Sequence, residues 1–254
     1  RAGVAMSNRR ILDRMVTPEW MSTALRIARM DKPWPEARQL LEVALRDKVE
    51  AKTGRRKTAT VLAGSWLKPA PEAQAVVDWA KEHAGGDIRV WHLGVLMANY
   101  SFLGDVCAEV GRILALAQEV DTRSLRSTMK STWGDRDVVN VATRSAIRTL
   151  RSFGCLVGEN GESRSEVGCR ITPERSTVPW LIHALMVARG VREVDLRDAL
   201  AAPEFFMFDL PTSIDNGYPH IEIFTEGSGR VVIGIVERRE HSPPASTKQM
   251  SLDV

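Results

Sequence analysis

Long uncharged stretches are missing from these 254 residues. No run approaches the roughly 18 to 20 apolar residues a membrane-crossing helix needs, and no secretory apolar core is visible. The expectation is therefore a cytoplasmic protein with no membrane partner. Cysteine is scarce: Cys107, Cys155 and Cys169 form an odd, widely spaced set, which suits a reducing compartment better than a disulfide scaffold. No C-x2-C pair exists and the five histidines (His83, His92, His183, His220 and His241) are scattered, so neighbours in the chain assemble no metal site. A Walker A loop, a dinucleotide glycine fingerprint, a G-x-S-x-G elbow and an H-E-x-x-H motif are all missing. These absences predict a protein that is not an enzyme, with neither cofactor nor metal. No internal repeat is visible. The net charge is only +3, so any electrostatic argument has to be local.

What is present is ordinary globular material, 44% apolar and 26% charged, which excludes wholesale disorder. The fold class predicted is mainly α: a helical N-terminal region, a central helical unit with a short hairpin, and a small C-terminal α+β element with a second hairpin. Thr17-Pro18-Glu19 reads as a cap followed by proline at the first helical position. A second helix from about Pro35 carries Leu40, Leu41, Ala44, Leu45 and Val49 on one face. Lys52, Arg55, Arg56 and Lys57 read as a basic loop interrupting it, and further helices are expected at 58–67, 71–84 and 88–98. In the C-terminal part, Ile221 and Ile223 alternate against Val231, Ile233 and Ile235 around Glu226-Gly227-Ser228-Gly229, which predicts a hairpin. Four segments follow: a helical domain over 1–102, a second domain over 103–193, a helix and hairpin over 194–238, and a disordered polar tail over 239–254. The chain opens on Arg1. Either residues upstream are missing or Arg1–Ala5 precedes a native start at Met6.

The middle third concentrates the charge. Helices are expected at 105–118, 124–132 and 137–152, then two short strands around Glu159-Asn160-Gly161-Glu162-Ser163, an Asn-Gly turn signal. At about 100° per residue, Val138, Val141, Ala142, Leu150 and Phe153 form an apolar arc on the third helix. Opposite them Arg136, Asn140, Arg144, Arg148 and Arg151 make one polar stripe, bordered by Thr143 and Thr149. The preceding helix adds Arg123, Arg126 and Lys130. Between Thr122 and Arg151 seven cations face two acids, a local +5 that exceeds the +3 of the whole chain. Such asymmetry suits a surface that displaces counterions from phosphates.

The order helix, helix, tight turn, helix, hairpin over about 105–171 resembles the winged helix-turn-helix superfamily, in topology and patterning rather than through a diagnostic motif. The resemblance implies an accessory or regulatory protein that lays its third helix in the major groove of double-stranded DNA. Asn140, Arg144 and Arg148 are then the base-reading candidates, and Arg123, Arg126, Lys130, Arg136, Thr143 and Arg151 position the backbone. Lys52, Arg55, Arg56 and Lys57 form a secondary basic site. Two other readings stay open. A charged stripe is also how any solvated helix looks, and the wing is acidic through Glu159, Glu162 and Glu166; both favour a scaffold subunit contacting protein partners in a larger bacterial-type assembly. A nuclease would need carboxylates converging from distant parts of the chain, since Asp105 and Glu109 find no third ligand nearby. His92 and the seven tryptophans read as core residues, Phe205-Phe206-Met207-Phe208 as core closure, and Cys155 and Cys169 as thiols facing each other across the central hairpin.

Overall fold

Helices account for most of the chain. A computed structural model describes residues 10–158, 163–215, 217–227 and 229–236. Arg1–Ala5, the Asn160-Gly161 turn with Glu159 and Glu162, and the 239–254 tail lie outside the described residues. Helix α1 (Pro18–Ala28) starts where expected, the Thr17 hydroxyl accepting from the Trp20 N–H at 3.3 Å. Helix α2 (Trp34–Ala44) leads to α3 (Lys52–Trp66). Residues 52–57, expected as a loop, are thus the first turns of α3. The guanidinium of Arg55 explains the early start: it donates to the carbonyls of Val49 at 2.9 Å and Glu50 at 2.8 Å, neutralising the chain reversal just before the helix.

A 3-10 turn at Pro71–Ala73 opens α4 (Gln74–His83), followed by α5 (Ile88–Asn99) and α6 (Ser101–Leu114). Helix α5 is buried from Val90 to Asn99, so its polar side chains need internal partners. His92 sits 2.9 Å from the Ser22 hydroxyl, and Asn99 accepts from the Ala70 N–H at 2.8 Å while donating to the Val95 carbonyl at 2.9 Å. Helix α9 (Val178–Arg189) packs across α5. The Trp180 ring lies so near Gly94 that a Cβ there would fall 2.4 Å from it.

Strand β1 (Glu119–Asp121), α7 (Thr122–Trp133), α8 (Asp137–Ser152), β2 (Leu156–Val157) and β3 (Arg164–Val167) follow α6. The strands form an antiparallel sheet in the order β1-β3-β2. After α9 come β4 (Glu193–Asp195), α10 (Leu196–Leu200), a 3-10 turn at Pro203–Phe205, β5 (Ile221–Thr225) and β6 (Val231–Ile235), with sheet order β4-β6-β5. The C-terminal hairpin forms where expected, and its register sets Ile221 opposite Ile235 and Ile223 opposite Ile233.

The two sheets share a plan that inspection of the sequence did not reveal. In each, a helix is followed by the tripeptide Glu-Val-Asp as an edge strand (119–121 and 193–195), which pairs antiparallel with the second strand of a later hairpin. In each, the Asp caps the next helix: Asp121 accepts from the N–H groups of Arg123 and Ser124, Asp195 from those of Arg197 and Asp198. The units differ between that helix and the hairpin. The first inserts the 16-residue α8 and the second only the 3-10 turn at Pro203–Phe205. That turn packs onto α6, and a Cβ on Gly111 would fall 2.0 Å from the Pro203 carbonyl oxygen. Phe205, Met207 and Phe208 close the core there. Buried apolar residues form one cluster running from Leu12 to Ile233, across the boundary expected near 102.

Candidate nucleic-acid interface

Helix α8 has the limits expected, Asp137 to Ser152, but it is rotated relative to the expected apolar arc. Its buried face is Val139, Ala142, Thr143, Ala146, Ile147, Thr149 and Leu150. Val138 and Val141, expected inside, are 37% and 38% exposed. Thr143, expected on the polar stripe, is fully buried and leaves the candidate surface. The reason is hydroxyl satisfaction. Thr143 Oγ1 donates to the Val139 carbonyl at 2.8 Å and Thr149 Oγ1 accepts from the Val16 N–H at 3.1 Å, so both threonines bury their methyl groups at little polar cost.

One flank of α8 is covered by an extended segment over residues 10–16. The Ser145 hydroxyl donates to the Asp13 carbonyl at 3.2 Å and the Ser152 hydroxyl to the Val16 carbonyl at 2.9 Å. Arg14 lies between these anchors, its Nε enclosed and without a hydrogen-bond partner among the described residues. It adds a cation beside α8 that no local pattern could reveal, because the contacts span more than 130 residues of chain.

The free arc of α8 therefore centres on Asp137, Val141, Arg144 and Arg148, with Asn140 half-buried at its border. Among the described residues the side chains of Arg144 and Arg148 have no ion pair or hydrogen bond, whereas the exposed Arg123 of α7 lies beside Asp121, which accepts from its backbone N–H. The other expected cations are partly engaged. Lys130 pairs with Asp135 at 2.8 Å across the turn between α7 and α8, and Arg136 donates to the Trp133 carbonyl at 3.1 Å. Arg126 is half-buried with its Nε unpartnered. Arg151 is a structural tie. It donates to the Ser165 hydroxyl at 2.9 Å and the Arg164 carbonyl at 2.6 Å, fixing the end of α8 to β3. Gly158 makes room for it, since a Cβ there would sit 2.7 Å from the Arg151 guanidinium. Asp121 is held below its ordinary pKa, chiefly by the Arg123 N–H that it caps.

Trp133 is buried, its indole N–H donating to Asp105 at 2.8 Å, so it offers no stacking platform; Glu109 pairs with Arg112. On the hairpin Gly168, not Cys169, stands opposite Cys155. The Gly168 N–H donates to the Cys155 carbonyl at 2.8 Å, leaving Cys155 buried and Cys169 exposed. Consecutive strand residues point to opposite faces, so the two thiols do not meet as expected. Of the cations at the start of α3, Lys52, Arg56 and Lys57 are exposed and Arg55 is engaged as above.

Elsewhere, a cleft of about 1180 Å³ is lined by residues of α6, α9 and the end of β6. Arg189 and Glu204 meet in its wall through two bonds of 2.7 Å. Among the described residues no group of three or more His, Cys, Asp or Glu is placed to hold a metal ion, and no helix is long and apolar enough to cross a membrane. No family model, no curated protein and no solved structure matches the chain.

Proposed function

We propose that this protein binds double-stranded DNA through α8, in a regulatory or accessory role rather than a catalytic one. The observation that carries this reading is the pair Arg144 and Arg148. They stand one turn apart on the free arc of a helix, without an acidic partner among the described residues, inside a segment carrying +5. The order α6, β1, α7, α8, β2, β3 matches that of a winged helix-turn-helix, in which the third helix enters the major groove. Arginine there reads guanine through two bonds and asparagine reads adenine, so Arg144, Arg148 and Asn140 are assigned to base edges. Arg123, Arg126, Lys130 and Arg136 are assigned to phosphates, with Arg14 joining them from the N-terminal segment.

Fluorescence anisotropy with a random duplex at several salt concentrations tests this. Affinity is expected to fall steeply with salt, by a slope of about one per phosphate contact, and Arg144→Glu to abolish most of it while the protein stays folded. A folded protein that shows no duplex binding at about 50 mM salt ends the proposal. The scaffold reading has an observation of its own: Val157 and Val167, on opposite faces of the β1-β3-β2 sheet, are 48% and 43% exposed. A protein partner protecting that sheet, with no effect of Arg144→Glu, would favour it.

A further inference from the structure

Val138 and Val141 are exposed on the same helix as the free arginines, and nothing in the fold accounts for them. The N-terminal segment covers the neighbouring flank at Ser145, Thr149 and Ser152. Neither valine serves helix formation, because β-branched side chains lose rotamer freedom in a helix. Neither serves the core, which takes Val139, Ala142 and Ala146 instead. The two stand three residues apart, about 4.5 Å along the axis, with Arg144 the same distance further on.

We infer that Val138 and Val141 are a reading patch for the 5-methyl groups of thymine, so that the preferred site carries thymine beside the base pair contacted by Arg144. This rests on the proposed docking of α8 in the major groove. The methyl of thymine is the apolar group that base pairs display in that groove, and cytosine lacks it at the equivalent position. An apolar surface with Arg144 one turn beyond Val141 thus distinguishes thymine from cytosine by burial, while the arginine distinguishes guanine by hydrogen bonding. Placing the valines in the first half of α8 also suits the geometry, because the N-terminal residues of such a helix contact the bases.

The test begins with selection of bound duplexes from a random pool by the full chain. Each thymine of the enriched sequence is then replaced in turn by deoxyuridine, which removes only the methyl group. Uridine at one or two positions is expected to weaken binding roughly three- to tenfold, the scale of one or two methyl burials. In the double variant Val138→Ser, Val141→Ser the same replacement should have no effect. Both sites are exposed, so the variant is expected to keep its melting temperature, and duplexes without thymine at those positions should bind it as they bind the unaltered protein. Sequence-specific binding insensitive to uridine at every position overturns the inference but not the DNA reading. So does a uridine effect that survives in the double variant, or selection that enriches no sequence. Failure to retain any duplex overturns both.

Discussion

Burial lowers the pKa of His92 to about 3 and, with help from the neighbouring His220, that of His183 to about 4, both from 6.5. The folded protein keeps these rings neutral while the unfolded chain takes up protons below about 6.5. Stability from this source is therefore complete at neutral pH. It is lost as pH falls from about 6.5 toward 4, at roughly 1.4 kcal/mol per unit and histidine. The melting temperature should drop across that window, and His92→Gln, which removes one titrating ring, should flatten the drop; a flat profile in the unaltered protein would contradict the assignment. The arginines separate by role at the same scale. Arg144→Ala is expected to weaken duplex binding by roughly 1–3 kcal/mol and to relax base preference, whereas Arg123→Ala should lower the salt slope by about one and leave preference unchanged. Thr143 shows the limit of a residue-level reading. A threonine counts as polar in a pattern, yet its hydroxyl is consumed by its own helix, and the methyl then prefers the interior.

Helix α6 illustrates what elements require of single positions. Gly104 faces Ala188, where a Cβ would make an ordinary contact at 3.4 Å, and Gly111 faces the Pro203 carbonyl at 2.0 Å. Alanine is the better helix former by about 1 kcal/mol. Gly104→Ala should accordingly be neutral or stabilising, while Gly111→Ala should push the Pro203–Phe205 turn off α6 and cost at or beyond the upper end of the roughly 1–3 kcal/mol typical of overpacking. Urea unfolding of the two variants checks the contrast, and equal effects would refute it. The ends of α8 were legible because Asp137 opens a periodic run and Phe153-Gly154 closes it. Its facing was not. Valine and threonine differ little in shape, and which of them is inside depends on where each hydroxyl finds a partner: Thr143 within its own helix, Thr149 on the segment over residues 10–16.

Across the whole molecule the buried apolar residues are continuous, so segments that look separable in sequence stabilise one another. Leu12 lies in an extended stretch near the start of the described chain yet is fully buried. Leu12→Ala should lose roughly 2–5 kcal/mol, as for a central core position, and should weaken duplex binding by loosening the cover along α8. A surface-like loss under about 0.5 kcal/mol would show that the segment is dispensable. The paired plan of the two sheets belongs to this scale too. Glu-Val-Asp twice followed by a capped helix is a short and mostly polar match. It becomes a repeat only when both copies are seen to pair with the second strand of a later hairpin.

The sequence by itself determined the mainly helical class, most helix limits, the C-terminal hairpin and the placing of excess positive charge between Thr122 and Arg151. These follow from periodicity, capping and turn chemistry, which act within a few residues. Tertiary structure alone decided that Arg151 ties α8 to β3, that the segment over residues 10–16 lies along α8 and that Val138 and Val141 face outward. It likewise decided that β1 and β4 are strands, since three residues with two acids have no strand signal until a distant edge supplies their hydrogen bonds. Each of these depends on contacts between residues far apart in the chain, and local patterning carries no information about which distant surface arrives to cover a given face.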